Sequence, residues 1–152
     1  MSELYQDLLS LARTVRAANR LAGIQAGSMA AGGGLTDNQV LEVSELFPAW
    51  EPGTYEVGEV RNHGGQTWRC VQAHDSTATT DWAPGSVAAL WAPYHAADPA
   101  YARSWIAPTG AHDAYQKGEC MVWTDGAVYR CLTDGTVHDP AALPGSWEAV
   151  DV

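Results

Sequence analysis

Residues 2–31 carry the hydrophobic periodicity of a helix. Their apolar side chains follow the 4-3-4-3-4 spacing of heptad a and d positions, at Leu4, Leu8, Leu11, Val15, Ala18 and Ala22. Ser2 is a suitable N-cap for this helix. A stripe of uncovered leucines is a liability in water, so we expect other chains to bury it, as an oligomerisation or anchoring element. Docking of the helix on its own chain is the alternative.

A shorter amphipathic pattern follows three consecutive glycines that end at Gly34. Thr36 and Gln39 have the spacing of a capping box, in which two side chains bind the backbone N–H groups at a helix start. Apolar residues then follow at helical spacing up to Pro48, at Val40, Val43, Leu46 and Phe47. We predict a short helix that packs against the segment after it.

From Trp50 onward the patterns are those of short β-strands. Alternation and β-branched or aromatic residues mark four runs, at 57–60, 67–71, 121–123 and 128–131. Gly64-Gly65 and Asp125-Gly126 are typical of two-residue hairpin turns. The predicted fold class is therefore mainly β with an N-terminal α-helix.

The β region states one pattern twice. Each copy has an aromatic-x2-Gly motif, an aromatic-Arg-Cys triplet and a Pro-Gly-Ser triplet, which begin at Tyr55, Trp68 and Pro84 and again at Tyr115, Tyr129 and Pro144. The first tyrosine and the triplet aromatic are 13 residues apart in one copy and 14 in the other. Such an internal repeat predicts two small antiparallel β modules and favours a binding surface presented more than once over a single catalytic centre.

Four parts follow from these patterns. They are an N-terminal helix with a glycine hinge (1–34), a short helix with the first module (35–94), a linker (95–103), and the second module (104–152). We call residues 50–91 the first segment and residues 105–147 the second segment. Modules of about 45 residues need dense packing or a neighbour to be stable.

Charge and composition narrow the choice of partner. The net charge is −10, and residues 35–152 hold 16 acids and five bases. Such an acidic surface repels phosphate, which disfavours nucleic acids and anionic membranes as partners. No stretch has the length of a transmembrane helix, and the N-terminus lacks the apolar region of a signal peptide. The aromatic residues are seven Trp and six Tyr with one Phe. Trp and Tyr combine an apolar face with a polar edge, so they suit binding surfaces as well as cores.

The three cysteines do not form a disulfide framework. Cys70 and Cys131 occupy matching repeat positions, which indicates small buried side chains. If Asp125-Gly126 is a two-residue turn, Cys120 faces Cys131 across the hairpin, so a cross-strand disulfide is the alternative to reduced thiols.

Catalytic and metal-binding patterns are missing from the sequence. It contains no Gly-x-Ser-x-Gly elbow, Walker loop or dinucleotide fingerprint. The histidines lack the close spacing of metal ligands, at His63, His74, His95, His112 and His138. The acids are numerous enough for a glycosidase pair, but most adjoin turns, where carboxylates are solvated. We predict a protein that is not an enzyme and has no cofactor or metal site.

The motifs of the first segment carry a family resemblance. The Tyr-x2-Gly-x-Val motif and the glycine turn are followed by Gln72-Ala73-His74-Asp75-Ser76, Asp81-Trp82-x-Pro84 and Leu90-Trp91. This order and spacing resemble the chitin-binding type 3 fold of carbohydrate-binding module family 5/12. The second segment resembles it more weakly. The helical N-terminus and the Leu35–Trp50 stretch look like those of small bacteriophage virion proteins.

The resemblance implies sugar binding by stacking, since an exposed indole matches the apolar face of a pyranose ring. The sugar-facing tryptophan of the family corresponds to Trp82, and the closing, packed tryptophan corresponds to Trp91. Gln72, His74 and Asp81 are the candidate polar contacts.

Each aromatic candidate has a structural alternative. A core position is the alternative for Trp82, because a small fold needs aromatics to fill it. Trp50, a further candidate sugar contact, opens the first segment as Trp105 opens the second, and both positions suit either role. The strand aromatics are expected in the core, at Tyr55, Trp68, Tyr115 and Tyr129. The second segment has no Trp at the place of Trp82, and Trp123 is its candidate platform.

Two hypotheses follow. The first is a non-enzymatic phage virion protein, in tail, fibre or head decoration, that binds a chitin-like or bacterial cell-wall or capsular polysaccharide. It would be made in the host cytoplasm, carried on the virion surface, held to other virion proteins by its N-terminal helix, and homo-oligomeric with a trimer favoured. The second is a purely structural virion or assembly protein that uses the same fold for protein–protein contacts.

Overall fold

The computed structural model describes residues 34–152 and, before them, only positions 3, 4, 6, 7, 10 and 27. The described chain is mainly β, with small sheets and little helix. The helix predicted over residues 2–31 falls outside the described range at most of its positions, among them Leu8, Leu11, Val15, Ala18 and Ala22. Leu4 is described, and its side chain is 62% exposed.

The elements are short. Within residues 34–152 the helical ones are α1 (Asp37–Glu42) and three 3₁₀ turns, η1 (Ser44–Leu46), η2 (Pro99–Tyr101) and η3 (Pro144–Ser146). The strands are β1 (Thr54–Tyr55), β2 (Val60–His63), β3 (Gln66–Cys70), β4 (His74–Asp75), β5 (Trp91–Pro93), β6 (Arg103–Ser104), β7 (Cys120–Val122), β8 (Val128–Cys131) and β9 (Trp147–Val150). They form sheets of order β1-β4, β2-β3-β5 and β6-β7-β8-β9, antiparallel except for the β6-β7 pair.

The capping box predicted at the start of α1 is confirmed. The Gln39 N–H donates to Thr36 Oγ1 at 3.2 Å, and the Thr36 N–H donates to Gln39 Oε1 at 3.0 Å. The α-helix ends at Glu42, earlier than the apolar spacing predicts, and continues as η1. Its apolar side packs on the first segment, in a cluster of Val40, Leu41, Phe47, Val60, Tyr94 and Ala96.

The hairpin predicted at Gly64-Gly65 is confirmed. Both glycines have positive φ, 59° and 77°, as a type I′ turn requires. His63 pairs with Gln66 directly beside the turn. The run 57–60, in contrast, is wrong as a strand. Gly58 has φ 94°, and residues 57–58 form a turn, so β2 begins only at Val60.

The turn predicted at Asp125-Gly126 is wrong by one residue. Only Gly126 has positive φ there, and its N–H donates to the Trp123 carbonyl, which gives a three-residue loop with a bulge at the glycine. Cys120 therefore pairs with Arg130 and not with Cys131. A one-residue shift moves a side chain to the other sheet face, and all three cysteines are free and buried. Burial raises the pKa of the Cys70 and Cys120 thiols.

The two segments make corresponding backbone contacts. In each segment, the backbone N–H of the motif glycine donates to the carbonyl of the triplet cysteine. The backbone N–H of that cysteine donates to the carbonyl of the glutamate that follows the glycine. The thiol of the cysteine donates to the carbonyl two residues further along the chain. The bonds are Gly58 to Cys70 (2.9 Å), Cys70 to Glu59 (2.8 Å) and Cys70 Sγ to Gln72 (3.2 Å), then Gly118 to Cys131 (2.8 Å), Cys131 to Glu119 (2.7 Å) and Cys131 Sγ to Thr133 (3.1 Å). Cys70 and Cys131 thus occupy equivalent positions in the hydrogen-bond patterns of the two segments.

Each segment has its own aromatic core. The first contains Tyr55, Trp68, Cys70, Leu90 and Trp91, and the second contains Tyr115, Met121, Cys131 and Trp147. The core positions predicted for Tyr55, Trp68, Tyr115 and the packed Trp91 are confirmed. Tyr129 is only half-buried, because its ring lies at the rim of the second core and its hydroxyl bonds to Asp125.

Candidate functional site

Trp82 lies on the surface of the first segment, in the loop between β4 and β5. Its side chain is 39% exposed, so the alternative of a core position for Trp82 is wrong. The loop behind it is fixed, since Ala83 and Pro84 are buried and the Ser86 N–H donates to the Ala83 carbonyl. Gly85 closes this loop over Trp68 with φ 94°, where a Cβ would come within 3.4 Å of the Trp68 ring. The indole is therefore presented by a constrained backbone.

The imidazole ring of His74 lies beside Trp82. The two ring centroids are 6.3 Å apart with an edge-to-face geometry. His74 belongs to β4, and β4 pairs with β1 so that His74 lies opposite Tyr55. The imidazole also contacts Trp91 at 5.6 Å and Tyr55 at 5.7 Å between centroids. It therefore connects the buried aromatic core to the exposed indole.

The hydrogen bonds of His74 determine its tautomer. Nδ1 lies 2.7 Å from the carbonyl oxygen of Gln72, which can only accept, so Nδ1 carries the proton. In the neutral ring Nε2 is then an acceptor, and it is buried without a hydrogen-bond partner. A buried acceptor without a partner carries a free-energy cost that the packing of the ring must offset.

The remaining candidates lie at different places. The side chains of Gln72 and Asp81 are exposed, and Asp81 directly precedes Trp82. The backbone carbonyl of Gln72 accepts the hydrogen bond from Nδ1 of His74. Trp50 is half-buried, its indole nitrogen is buried without a hydrogen-bond partner, and its ring packs edge-to-face on His63 at 5.6 Å.

Trp123, the candidate platform of the second segment, directly follows β7. The Trp50 N–H donates to the Asn62 carbonyl and the Trp105 N–H to the Val122 carbonyl, so Trp105 corresponds to Trp50. Trp123 then corresponds to His63, and it packs edge-to-face on Trp105 at 5.9 Å. Its side chain is half-buried. Counting back from the Pro-Gly-Ser triplet, Ala142 stands where the first segment has Trp82.

Two residues beside Trp123 were missed as site candidates. The hydroxyl of Tyr129 donates to Asp125 Oδ2 at 3.1 Å, and this bond raises the pKa of Tyr129. Asp125 Oδ1 accepts from the Ala127 N–H at 2.8 Å, which fixes the carboxylate. The sequence places Asp125 in a predicted turn and predicts a core position for Tyr129. The signal that could have found them is the three-residue loop, which brings Tyr129 diagonally across from Trp123.

The described part of the chain offers little for a metal or a deep ligand pocket. It contains no group of three or more His, Cys, Asp or Glu side chains placed to hold a metal ion. A groove of about 360 Å³ is lined by Ser44, Glu45, Asn62, Gly65, Gln66 and Arg103. Its Arg103 donates to the Gly65 carbonyl and to Ser44 Oγ, so the groove is tied by internal bonds. Within the described residues we find no helix that could cross a membrane.

The first segment is the part of the chain that is similar to known proteins. One relative is Streptogrisin-C of Streptomyces griseus, which is 49% identical over 43 residues. The match covers 28% of this chain and 9% of the length of Streptogrisin-C. The chain therefore spans about a tenth of that relative. Residues 49–92 match the model for carbohydrate-binding module family 5/12, and this range contains Trp82, His74 and the first aromatic core. The family match supports a carbohydrate-binding module at residues 49–92.

Proposed function

We propose that this protein is a non-enzymatic bacteriophage virion protein that binds a chitin-like or bacterial cell-surface polysaccharide. The observation that carries the sugar-binding part is the exposed indole of Trp82 inside the range that matches the carbohydrate-binding family. The polysaccharide, the virion surface and other virion proteins are its proposed partners.

Stacking is the proposed mode of binding. The apolar C–H face of a pyranose ring lies on the indole of Trp82, and its hydroxyls bond to nearby polar groups. Asp81 directly precedes Trp82 and has an exposed side chain, and the His74 ring packs edge-to-face on Trp82. Because residues 35–152 are strongly acidic, neutral or amino sugars are favoured over anionic polymers.

Several modules on one particle would strengthen such a shallow site. Linked weak sites gain apparent affinity without any new contact. The matching hydrogen bonds of Cys70 and Cys131 support the proposal that the second segment is a diverged second module. The virion part of the proposal is supported by the resemblance of the Leu35–Trp50 stretch to small phage proteins.

The binding proposal predicts that Trp82→Ala loses retention on insoluble polysaccharide. Loss of the stacking surface should lower affinity by about ten-fold or more, since truncating an aromatic residue that dominates a binding surface costs about 2 kcal/mol or more. The measurement is a pull-down of the full chain on insoluble chitin and on purified bacterial cell walls. Tyr101→Ala is the matched control, because Tyr101 is also 39% exposed but lies in η2, outside the first segment.

Equal loss with Tyr101→Ala would argue against a defined site at Trp82. Absence of retention for the unaltered chain on every polysaccharide would contradict the proposal. The alternative of a purely structural virion protein, which uses the same fold for protein contacts, would then take its place.

The proposed homo-oligomer predicts that the combined change Leu4→Ser, Leu8→Ser and Leu11→Ser lowers the mass of the full chain in solution. These leucines stand at a and d positions, and serine there removes the apolar seam that holds the helices together. The exposure of Leu4 supports burial by another chain over docking on its own modules. Sedimentation equilibrium measures the mass. A variant with unchanged mass, or an unaltered chain that is already a monomer, would refute the oligomer.

A further inference from the structure

The partly exposed aromatics of the second segment share one sheet face. Met121 and Tyr129 are opposed across β7 and β8, so their side chains lie on the same face. Trp123 is two residues beyond Met121 and continues that face. Met121 is fully buried, whereas Trp123, Tyr129 and Trp105 are half-buried at its rim. The result is an aromatic rim that begins in the core and ends at the surface.

A fixed polar pair adjoins this rim. Asp125 Oδ2 accepts from the Tyr129 hydroxyl and Asp125 Oδ1 accepts from a backbone N–H, so the carboxylate is held in place at the Tyr129 end of the rim, in the loop that follows Trp123. Its exposed oxygen sites remain able to accept bonds from hydroxyls. An aromatic rim with a positioned carboxylate at its edge suits a pyranose, whose apolar face and hydroxyl edge meet these two surfaces together.

The two segments differ at the two positions that matter for stacking. Where the first has Trp82, the second has Ala142, and where the first has His63, the second has Trp123. The large indole is thus moved from the loop before the Pro-Gly-Ser triplet to the end of β7. The edge-to-face contact with the preceding tryptophan is kept in both, at 5.6 Å for Trp50 and His63 and 5.9 Å for Trp105 and Trp123.

We propose that Trp123, Trp105, Tyr129 and Asp125 form a second carbohydrate-binding site, on a different surface of its segment from that used by Trp82. This rests on the proposed function, since the occupant is a neutral pyranose of the same polysaccharide that the first segment binds. The carboxylate and the acidic surroundings disfavour phosphate and uronic acid groups as ligands. Two sites in one chain make binding to a polymer bivalent.

The test uses a residue that the chain itself supplies. Trp123→His places at this position the ring that the first segment has at His63, so an aromatic contact with Trp105 is retained while the indole face is lost. Binding isotherms of the full chain on insoluble chitin and on purified cell walls are measured for the unaltered protein, Trp123→His, Trp82→Ala and the double variant. We expect each single change to weaken apparent affinity about ten-fold or more, and the double variant to bind least.

The outcomes separate the two proposals. If Trp82→Ala weakens binding while Trp123→His equals the unaltered chain and the double variant equals Trp82→Ala, the second site is refuted and the first stands. If Trp123→His weakens binding and Trp82→Ala does not, the second site stands and the assignment of Trp82 fails. If the unaltered chain binds neither probe, both are refuted.

Asp125→Asn covers the case in which Trp123→His disturbs folding. Asparagine keeps the oxygen that accepts from the Ala127 N–H and removes the charge. Weaker binding by this variant, with an unchanged circular dichroism spectrum, supports the site, and unchanged binding overturns the role of Asp125 in it.

Discussion

Trp91→Ala should lower the free energy of unfolding by about 3–5 kcal/mol, the usual cost of truncating a buried tryptophan. The side chain is 1% exposed, and its ring packs edge-to-face on Tyr55 at 5.0 Å and on His74 at 5.6 Å. Alanine would leave a cavity that the short strands β1, β4 and β5 cannot close. Urea denaturation of the full chain, followed by circular dichroism and tryptophan fluorescence, measures the loss.

Trp82→Ala is the matched control for this change. It removes the same side chain from the same segment, but from an exposed position, so stability should fall by less than about 1 kcal/mol. Trp91→Ala should also weaken sugar binding, because the imidazole that contacts Trp82 rests on the Trp91 ring. Equal destabilisation by the two variants would mean that the described core does not hold the first segment together.

The second large effect is expected for Asn62→Asp, which should cost about 2–4 kcal/mol of stability. The Asn62 amide nitrogen donates to the Ser44 carbonyl at 2.8 Å and to the Phe47 carbonyl at 3.0 Å, while its Oδ1 accepts from Thr67 Oγ1 at 2.7 Å. Aspartate keeps the acceptor but turns a second oxygen toward two carbonyls. This change would separate η1 and α1 from the first segment.

Asn38→Asp is the same substitution with the opposite expectation. The Oδ1 of Asn38 accepts from the N–H groups of Ala97 and Asp98, and a carboxylate accepts these bonds equally well. The exposed bond to Glu42 is replaced by a like-charge pair at i and i+4, which costs only about a few tenths of a kcal/mol, so the total cost should stay below about 1 kcal/mol. The two variants are compared by thermal and urea unfolding. A cost at Asn38 as large as that at Asn62 would show that charge, and not loss of the two donors, sets the effect.

The two hairpins show how far local patterns determine structure. Gly64-Gly65 allows positive φ at both turn positions, so the two-residue turn and its register were predictable. At Asp125-Gly126 only the glycine takes positive φ, and the side chain of Asp125 instead bonds to the Ala127 N–H. That side-chain bond accompanies the three-residue loop, and the Asp-Gly dipeptide alone does not determine it. A two-residue turn at Asp125-Gly126 predicts a strand register that is wrong by one residue. The alternative of a Cys120–Cys131 disulfide depended on that register.

The surroundings of the candidate tryptophans could be predicted from the sequence only in part. The exposed position of Trp82 and its proximity to His74 agree with the expectation from sequence. The packing of Trp50 on His63 was not determined, because its position suited either role. The stack of His95 on Tyr115, with centroids 3.7 Å apart, was not foreseen, since residues 95–103 were expected to be a linker.

The sequence alone determined the features that depend on spacing along the chain. These are the repeated motif, the glycine turn at residues 64–65, the capping box at Thr36 and the resemblance of the first segment to a carbohydrate-binding family. Each of them depends only on residue type and on spacing along the chain. Only the tertiary structure decided which aromatic rings face solvent, because the same residue type fills a core or forms a platform according to what packs against it. Trp91 and Trp82 are nine residues apart in one segment, and the fold buries one and exposes the other.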